Sequence, residues 1–565
     1  MRVWIIADNI TSPLGFTTEQ NLVSVLDGRS GIANYDKLWG IPAMVCASLF
    51  SPPQWESILQ EGLTRFESLA YCSIREALSR VPGSINILDG RTIMLLSTTK
   101  ADVENIEQSD YYEHMPAEAA QRIAHRLGLK NPPIVVCNAC ISGVSAQVVA
   151  MRLLATGSYD HAIVVGCDVQ SRFVVSGFHS LKALSPEQCR PFDIERMGLN
   201  LGEAASTLVL SSCELGDSEW QLLEGAVCND AIHITTPCPQ GSGCTMAIEK
   251  VLDNDARHSL SLISLHGTAT MYNDQMEAKA IQRSGLLETP VCALKGYFGH
   301  TMGAAGVLES ILILHAMDKS VVPASLGFEE MGVSVPVRIS NQICDLRGDQ
   351  VLKIISGFGG CNGALLYSRM TGDVKVDETP FRIKHKVHIT PQSVRLDDED
   401  FTVEASGSQM LSSLYRSWVG NYPRFFKMDI LCRLGFIATE LLLQKEGDVS
   451  RQDVEQRAVV LFNHSSSIVA DRAFQDSISG SDGFYPSPSV FVYTLPNIVA
   501  GELAIRNHYH GETSFYILDG KDGLRMQEII RATFASRHIK SMLTGWVNAE
   551  SVDDFEAEMS IVEKV

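Results

Sequence analysis

Pro132-Pro133-Ile134-Val135-Val136-Cys137-Asn138-Ala139-Cys140-Ile141-Ser142-Gly143-Val144-Ser145 is the stretch that decides how this chain reads. A proline pair leads into a short β-branched run, the mark of a buried strand, and from Ser142 an apolar helical pattern continues to Leu154. Cys140 falls at the joint. A cysteine at a helix N-terminus meets free N–H groups and the positive end of the dipole, which favour thiolate over thiol and make it a candidate nucleophile toward a thioester. The same position also suits a buried structural cysteine, which is how Cys137 reads.

Working outward, short apolar runs alternate with helical patterns through the first 370 residues: Ile93 to Leu96, Ala162 to Val165, Ser206 to Leu210, Leu260 to Leu265 and Leu352 to Ser356. Strands spaced by helices in this way predict a layered α/β domain. The composition, 45% hydrophobic and 20% charged over 565 residues, is globular and excludes disordered and fibrous classes. A net charge of -20 argues against a nucleic-acid-binding surface. The 14 cysteines stand singly in apolar segments and read as reduced core residues. Val3 to Ala7 is too short for a signal-peptide core, and no run of about 18 apolar residues is present, so a cytoplasmic protein without a membrane span is expected.

Three further motifs carry chemistry. His266-Gly267-Thr268-Ala269-Thr270 ends a strand, where a histidine beside a glycine turn either points into a ligand crevice or serves as a satisfied structural group. Lys295-Gly296-Tyr297-Phe298-Gly299-His300-Thr301-Met302-Gly303-Ala304-Ala305-Gly306 runs into an apolar helix, Val307 to Met317, carrying Glu309. His300 at the beginning of that helix favours a neutral imidazole. Ser356-Gly357-Phe358-Gly359-Gly360 is either a plain tight turn or an oxyanion donor with a movable Phe358.

Together these residues resemble the β-ketoacyl synthases of the thiolase superfamily: Asn138-Ala139-Cys140, His266-Gly267-Thr268, Lys295 with His300 and Gly303-Ala304-Ala305-Gly306, and Gly357-Phe358-Gly359-Gly360 stand in family order. Ser12-Pro13-Leu14-Gly15 and Arg190-Pro191-Phe192-Asp193 match as well, and the likeness spans residues 1–370. It implies a layered α-β-α-β-α fold and a decarboxylative condensation. Cys140 would take an acyl group from the phosphopantetheine of an acyl carrier protein, and His266 and His300 would stabilise the enolate of malonyl carrier protein. Backbone N–H groups of Cys140 and Phe358, within the Gly357–Gly359 turn, would hold the oxyanion while Phe358 gates the pocket. Lys295 and Glu309 would position the second histidine. The resemblance implies no metal and no cofactor beyond the carrier's phosphopantetheine, a homodimer or a heterodimer with another synthase-like subunit, and fatty-acid-like, aryl-polyene-like or polyketide-like biosynthesis. Alternatives are a malonyl decarboxylase that does not elongate and a partner subunit of the chain-length-factor kind. Ala269 and Cys361 depart from the family's usual glycine and threonine.

Residues 371–400 read as a charged linker, with Asp397-Asp398-Glu399-Asp400 a solvated run, leading into a second unit over 381–565. Arg65 to Cys72 can be laid on Arg424 to Cys432, and Pro116 to Cys140 on Pro496 to Gly520. That places Asp519 or Gly520 where a nucleophile would stand and leaves Cys432, the unit's one cysteine, in a helix. A degenerate, catalytically dead half unit resembling the N-terminal part of a β-ketoacyl synthase is expected. The pairs His385/His388 and His508/His510 lack companions for a metal site.

Overall fold

The computed structural model describes residues 1–565 except 82, 84–85, 109–110, 215–218, 404, 448–453 and 480–483. Fifteen strands carry the frame. The first five are β1 (Trp4–Thr11), β2 (Thr92–Ser97), β3 (Ile134–Val136), β4 (His161–Asp168) and β5 (Ala204–Ser211). The helices α1 (Arg65–Leu78), α2 (Pro116–Leu127) and α3 (Ser142–Ala155) lie among them. Next come β6 (Gln221–Asn229), α4 (Ser242–Val251), β7 (Leu262–Ser264), α5 (Met271–Arg283), β8 (Pro290–Cys292), α6 (Ala305–Asp318), β9 (Gln350–Gly357) and β10 (Cys361–Ser368). The last part holds β11 (Phe381–Thr390), α7 (Ile430–Glu446), β12 (Arg457–Asn463), α8 (Pro488–Tyr493), α9 (Ile498–Asn507), β13 (Thr513–Ile517), α10 (Gly523–Phe534), β14 (Ser541–Ala549) and β15 (Phe555–Lys564).

One strand order occurs three times. The first sheet runs β1-β5-β4-β2-β3, the second β6-β10-β9-β7-β8, and the third β11-β15-β14-β12-β13. In each, the second strand of the chain pairs parallel with the third and fourth, and the fifth pairs antiparallel with the first and fourth. Parallel neighbours need helical crossovers, which is why the sequence alternates. Helices α3 and α6 are buried nearly all round between the first two sheets and need no polar face, whereas α1 keeps Arg75 and Glu76 off its apolar side.

The third sheet is not a separate body. β13 pairs antiparallel with β3, Tyr516 opposite Val136 and Ile517 opposite Val135, so the first and third sheets form one hydrogen-bonded surface. One buried core runs through both, from Phe66 and Leu69 to Leu431, Leu434 and Phe515. The acidic run is solvated as expected, with Asp398, Glu399 and Asp400 exposed, but the end of the expected linker is strand and hairpin rather than loose chain. Asp397, at φ 53°, turns a hairpin between Ser393–Leu396 and Glu399–Phe401, and its carboxylate accepts from the Lys386 N–H and His385 Nδ1.

The helix register proposed at Arg424 also differs. Pro423–Lys427 is a 3₁₀ turn, and α7 begins only at Ile430, where Asp429 caps it by accepting from the Cys432 N–H at 3.0 Å. The partner of Thr64, which caps α1, is therefore Asp429.

Candidate active site

Cys140 lies in the 3₁₀ turn Ala139–Ile141 between β3 and α3. Ala139 is held at φ 50°, a left-handed conformation a non-glycine residue adopts at a cost. Ser142 sustains it, its hydroxyl accepting from the Asn138 N–H at 2.8 Å and donating to the Ala139 carbonyl at 2.6 Å. The third sheet supports the same turn, because the Cys137 N–H donates to Phe515 O at 3.0 Å and Asn138 Nδ2 to Thr513 O at 2.9 Å.

His266 follows β7, and His300 follows Gly299, whose φ of 66° and close approach to Leu201 O, 2.5 Å from where a Cβ would stand, leave room only for glycine. A ring nitrogen of each histidine and the Cys140 sulfur lie within 4.8 Å of one another, and the two rings meet edge-on at 5.1 Å.

The tautomers follow from the partners. The Lys295 ammonium can only donate, and it lies 3.1 Å from His266 Nδ1; the Met302 N–H donates to His300 Nδ1 at 3.3 Å. Each imidazole is left with a proton on Nε2, and His300 Nε2 is buried with no partner among the described residues. Both rings are held neutral: burial pushes their pKa values well below 6.5, and Lys295 and Lys353 add to the effect.

Lys295 and Glu309 are close to one another as expected, but they support the first histidine rather than the second. Lys295 Nζ contacts His266 Nδ1 and donates to the His266 carbonyl at 2.7 Å and to Glu309 Oε1 at 2.7 Å. Lys295 precedes His300 by five residues, and Gly299 turns His300 away from it.

Sequence reasoning missed Lys353, on the buried strand β9, which donates to Glu309 Oε2 at 2.5 Å and Leu265 O at 3.0 Å. Its signal was a lone lysine in an apolar strand. Burial alone would raise the Glu309 carboxyl, but the two lysines hold it below its usual range. Glu277 was missed too; it accepts from the N–H groups of His266 at 2.7 Å and Gly267 at 2.8 Å and fixes their loop.

The expectation of a resting thiolate is overturned. Burial pushes the Cys140 thiol up to about 12, although Lys295 and the N–H groups of Phe358 and Cys140 pull it down. Desolvation of the anion outweighs the helix end. Those two N–H groups do face the sulfur side of the site, as an oxyanion donor pair must. Gly357 packs against the Cys140 amide, with 3.2 Å from where a Cβ would stand, whereas the Gly359 N–H donates to Ile234 O at 2.7 Å and is not an oxyanion donor. Gly359 serves the turn through its φ of 90°. The Phe358 ring stacks on Phe178 at 6.2 Å and borders both a chamber of about 390 Å³, which opens past Met271 and Tyr272, and a smaller cavity behind Cys140.

Cys140, His266 and His300 are the one potential group of metal ligands among the described residues, but two ammonium groups behind the histidines oppose a cation there. The same charges favour an anion forming between the Nε2–H donors. No helix among the described residues is long and apolar enough to cross a membrane.

Comparison with known proteins agrees with this geometry. The family model "Beta-ketoacyl synthase, N-terminal domain" matches residues 83–215, which include Cys140, and "Beta-ketoacyl synthase, C-terminal domain" matches residues 222–329, which include both histidines. The 3-oxoacyl-[acyl-carrier-protein] synthase 2 of Vibrio cholerae serotype O1 is 26% identical over 413 residues, 65% of this chain and 99% of the relative. The tetracenomycin polyketide synthase ketoacyl synthase alpha subunit of Streptomyces glaucescens is 30% identical over 278 residues, 46% of this chain and 65% of the relative. The solved structure of the PfaC keto synthase-chain length factor covers 100% of this chain and 78% of its own, with TM-score 0.75 and 13% identity, a likeness of fold. A nucleophilic turn, two neutral histidines and a matching pair of family models lead to one conclusion: residues 83–329 of this chain carry the N- and C-terminal domains of a β-ketoacyl synthase.

Proposed function

We propose that the chain catalyses decarboxylative Claisen condensation. An acyl thioester of a carrier protein transfers its acyl group to Cys140 Sγ, and the thiol proton passes to the sulfur of the leaving phosphopantetheine. Malonyl carrier protein then binds, and His266 and His300 donate through Nε2 to its thioester oxygen as carbon dioxide leaves. The resulting enolate carbon attacks the acyl carbonyl, the oxyanion rests on the N–H groups of Cys140 and Phe358, and collapse breaks the carbon–sulfur bond to release a 3-oxoacyl carrier protein and the Cys140 thiolate, which takes a proton from water. The observation that carries this reading is the pair of neutral imidazoles aimed at one sulfur, backed by the Lys295–Glu309–Lys353 chain. A differential interaction with charge that exists only in the transition state is what accelerates the step.

The substrates bring the phosphopantetheine, and the chain needs no cofactor of its own. An acyl carrier protein is its partner, in the cytoplasm, and residues 381–565 form a half unit without a nucleophile, packed on the synthase as a pseudo-subunit. Further pairing, with a second copy or another synthase-like subunit, goes with the same reading. Incubation with acyl and malonyl carrier proteins is expected to give 3-oxoacyl product, lost in Cys140→Ala. A Cys140→Ala variant that condenses as well as the parent would end the reading, and carbon dioxide without 3-oxoacyl product would mark a decarboxylase that does not elongate.

A further inference from the structure

Asp168, the last residue of β4, is buried, and no step of the condensation calls on it. Five donors converge on its carboxylate. Oδ1 accepts from Thr98 Oγ1 at 2.7 Å and from the Lys100 N–H at 3.4 Å. Oδ2 accepts from Thr99 Oγ1 at 3.0 Å and from the Gly303 N–H at 2.6 Å, and the Thr99 N–H is shared between the two oxygens. Burial raises the carboxyl to about 6, against the pull of these donors, so it stays ionised at neutral pH. Donors on every side need an acceptor there, and a protonated carboxyl would turn an O–H toward one of them.

The donors lie on two segments. Thr98 to Lys100 follow β2, whereas Gly303 belongs to the 3₁₀ turn Met302–Ala304 that leads from His300 into α6. That turn is tight. Met302 stands at φ 55°, and a Cβ on Gly303 would lie 2.7 Å from Thr98 Cα and 2.8 Å from Asp168 Oδ2. Ser97 Oγ holds the same turn by donating to the Gly303 carbonyl at 2.9 Å. Held so, the turn aims the Met302 N–H at His300 Nδ1, 3.3 Å away, the one hydrogen bond of that ring among the described residues. An N–H facing Nδ1 is what leaves the proton of His300 on Nε2, so the tautomer depends on where the turn sits. Lys100 ties the other segment to the C-terminal part, where its ammonium donates to Asp471 Oδ1 at 2.5 Å and to the Thr494 carbonyl.

We propose, resting on the condensation reading above, that Asp168 is a positioning residue for His300: by anchoring the Met302–Ala304 turn it fixes the Nε2–H tautomer that donates to the enolate oxygen. Asp168 touches no substrate and moves no proton in the reaction. An imidazole with its proton on Nδ1 would confront the Met302 N–H and would offer the enolate a lone pair in place of a donor. The carboxylate therefore decides whether the anion formed on decarboxylation is stabilised or opposed at that ring.

The test is Asp168→Asn in the full-length protein, which keeps the shape but sets an amide N–H against one of the donors. Proton–nitrogen NMR of isotope-labelled histidine, with the His300 signal identified by its absence from His300→Ala, reads the tautomer. The parent should carry the proton on Nε2 alone, and Asp168→Asn should share it between Nδ1 and Nε2. Rates of carbon dioxide release from malonyl carrier protein and of acyl transfer to Cys140 give the second reading. Release should slow by about tenfold more than acyl transfer, the scale of one hydrogen bond to a charged group, with KM for malonyl carrier protein unchanged. Ser97→Ala, which removes the other side-chain hold on the turn and only a neutral hydroxyl, should shift the same ratio in the same direction by a smaller factor. An Asp168→Asn variant that folds, as read by urea unfolding, and keeps the parent's tautomer and ratio would overturn the proposal, as would equal slowing of both steps. If Asp168→Asn does not fold, a Ser97→Ala variant with the parent's tautomer and ratio overturns it instead. A parent that neither accepts an acyl group nor releases carbon dioxide would end the condensation reading, and the tautomer measurement would still decide the role of Asp168.

Discussion

The side-chain amide of Asn497 donates to the carbonyl of Phe358 at 2.8 Å, so a residue of the C-terminal part holds the turn that carries the oxyanion donor and the gate. Asn497→Ala frees that carbonyl. The expected outcome is a fall in kcat of about tenfold with KM for the carrier substrate unchanged, and a stability loss of about 1 kcal/mol, the usual worth of one hydrogen bond. Steady-state kinetics and urea unfolding check both.

Lys353 touches no substrate, yet it holds the Glu309 carboxylate that anchors Lys295 against His266. Lys353→Met leaves Glu309 Oε2 and the Leu265 carbonyl without their donor and removes one positive charge behind the imidazoles. Stability is expected to fall by about 3 kcal/mol, the scale of a broken buried pair. Condensation should slow more than acyl transfer to Cys140, because the enolate is the species that feels the lost charge; single-turnover measurement of the two steps separates them.

The resting thiol gives a pH signature. With its pKa raised to about 12, the thiolate fraction of Cys140 grows with pH throughout the stable range. Alkylation by iodoacetamide at Cys140 should climb about tenfold per pH unit from pH 7 to about pH 9 without levelling. A plateau beginning near neutrality would mean that the helix end wins over burial.

Removal of everything after Gly372 would strip β13 from β3 and uncover the core face that α7 and α9 share with α1 and α2. It would also take the acceptors of the Cys137 and Asn138 N–H donors. The expected result is an insoluble or inactive protein, read by expression and gel filtration, since an exposed edge strand and a bare apolar face aggregate.

Local pattern made Cys140 legible, because strand, turn and helix are all written within fourteen residues. His266 and His300 were legible as motif members, and β13 as the strand expected over Ser514 to Tyr516. What the pattern hid was long-range: Lys353 meets Glu309 across 44 residues, and nothing near either residue records the pairing. Lys295 was assigned to the wrong histidine for the same reason, since nearness in sequence to His300 says little once Gly299 has turned the chain. The thiolate expectation failed because the dipole is a local feature of α3, while desolvation depends on everything packed around the turn. At Arg424 a proline and the Asp429 cap moved the helix start, a choice of local chemistry that overall similarity did not resolve.

The most direct test of the account is intact-protein mass measurement after brief exposure to an acyl carrier protein, with the site located by proteolysis. One acyl group on Cys140, absent from Cys140→Ala and discharged on addition of malonyl carrier protein with release of 3-oxoacyl product, is the result predicted. An acyl group on any other residue, or product formed without an acylated Cys140, would contradict it.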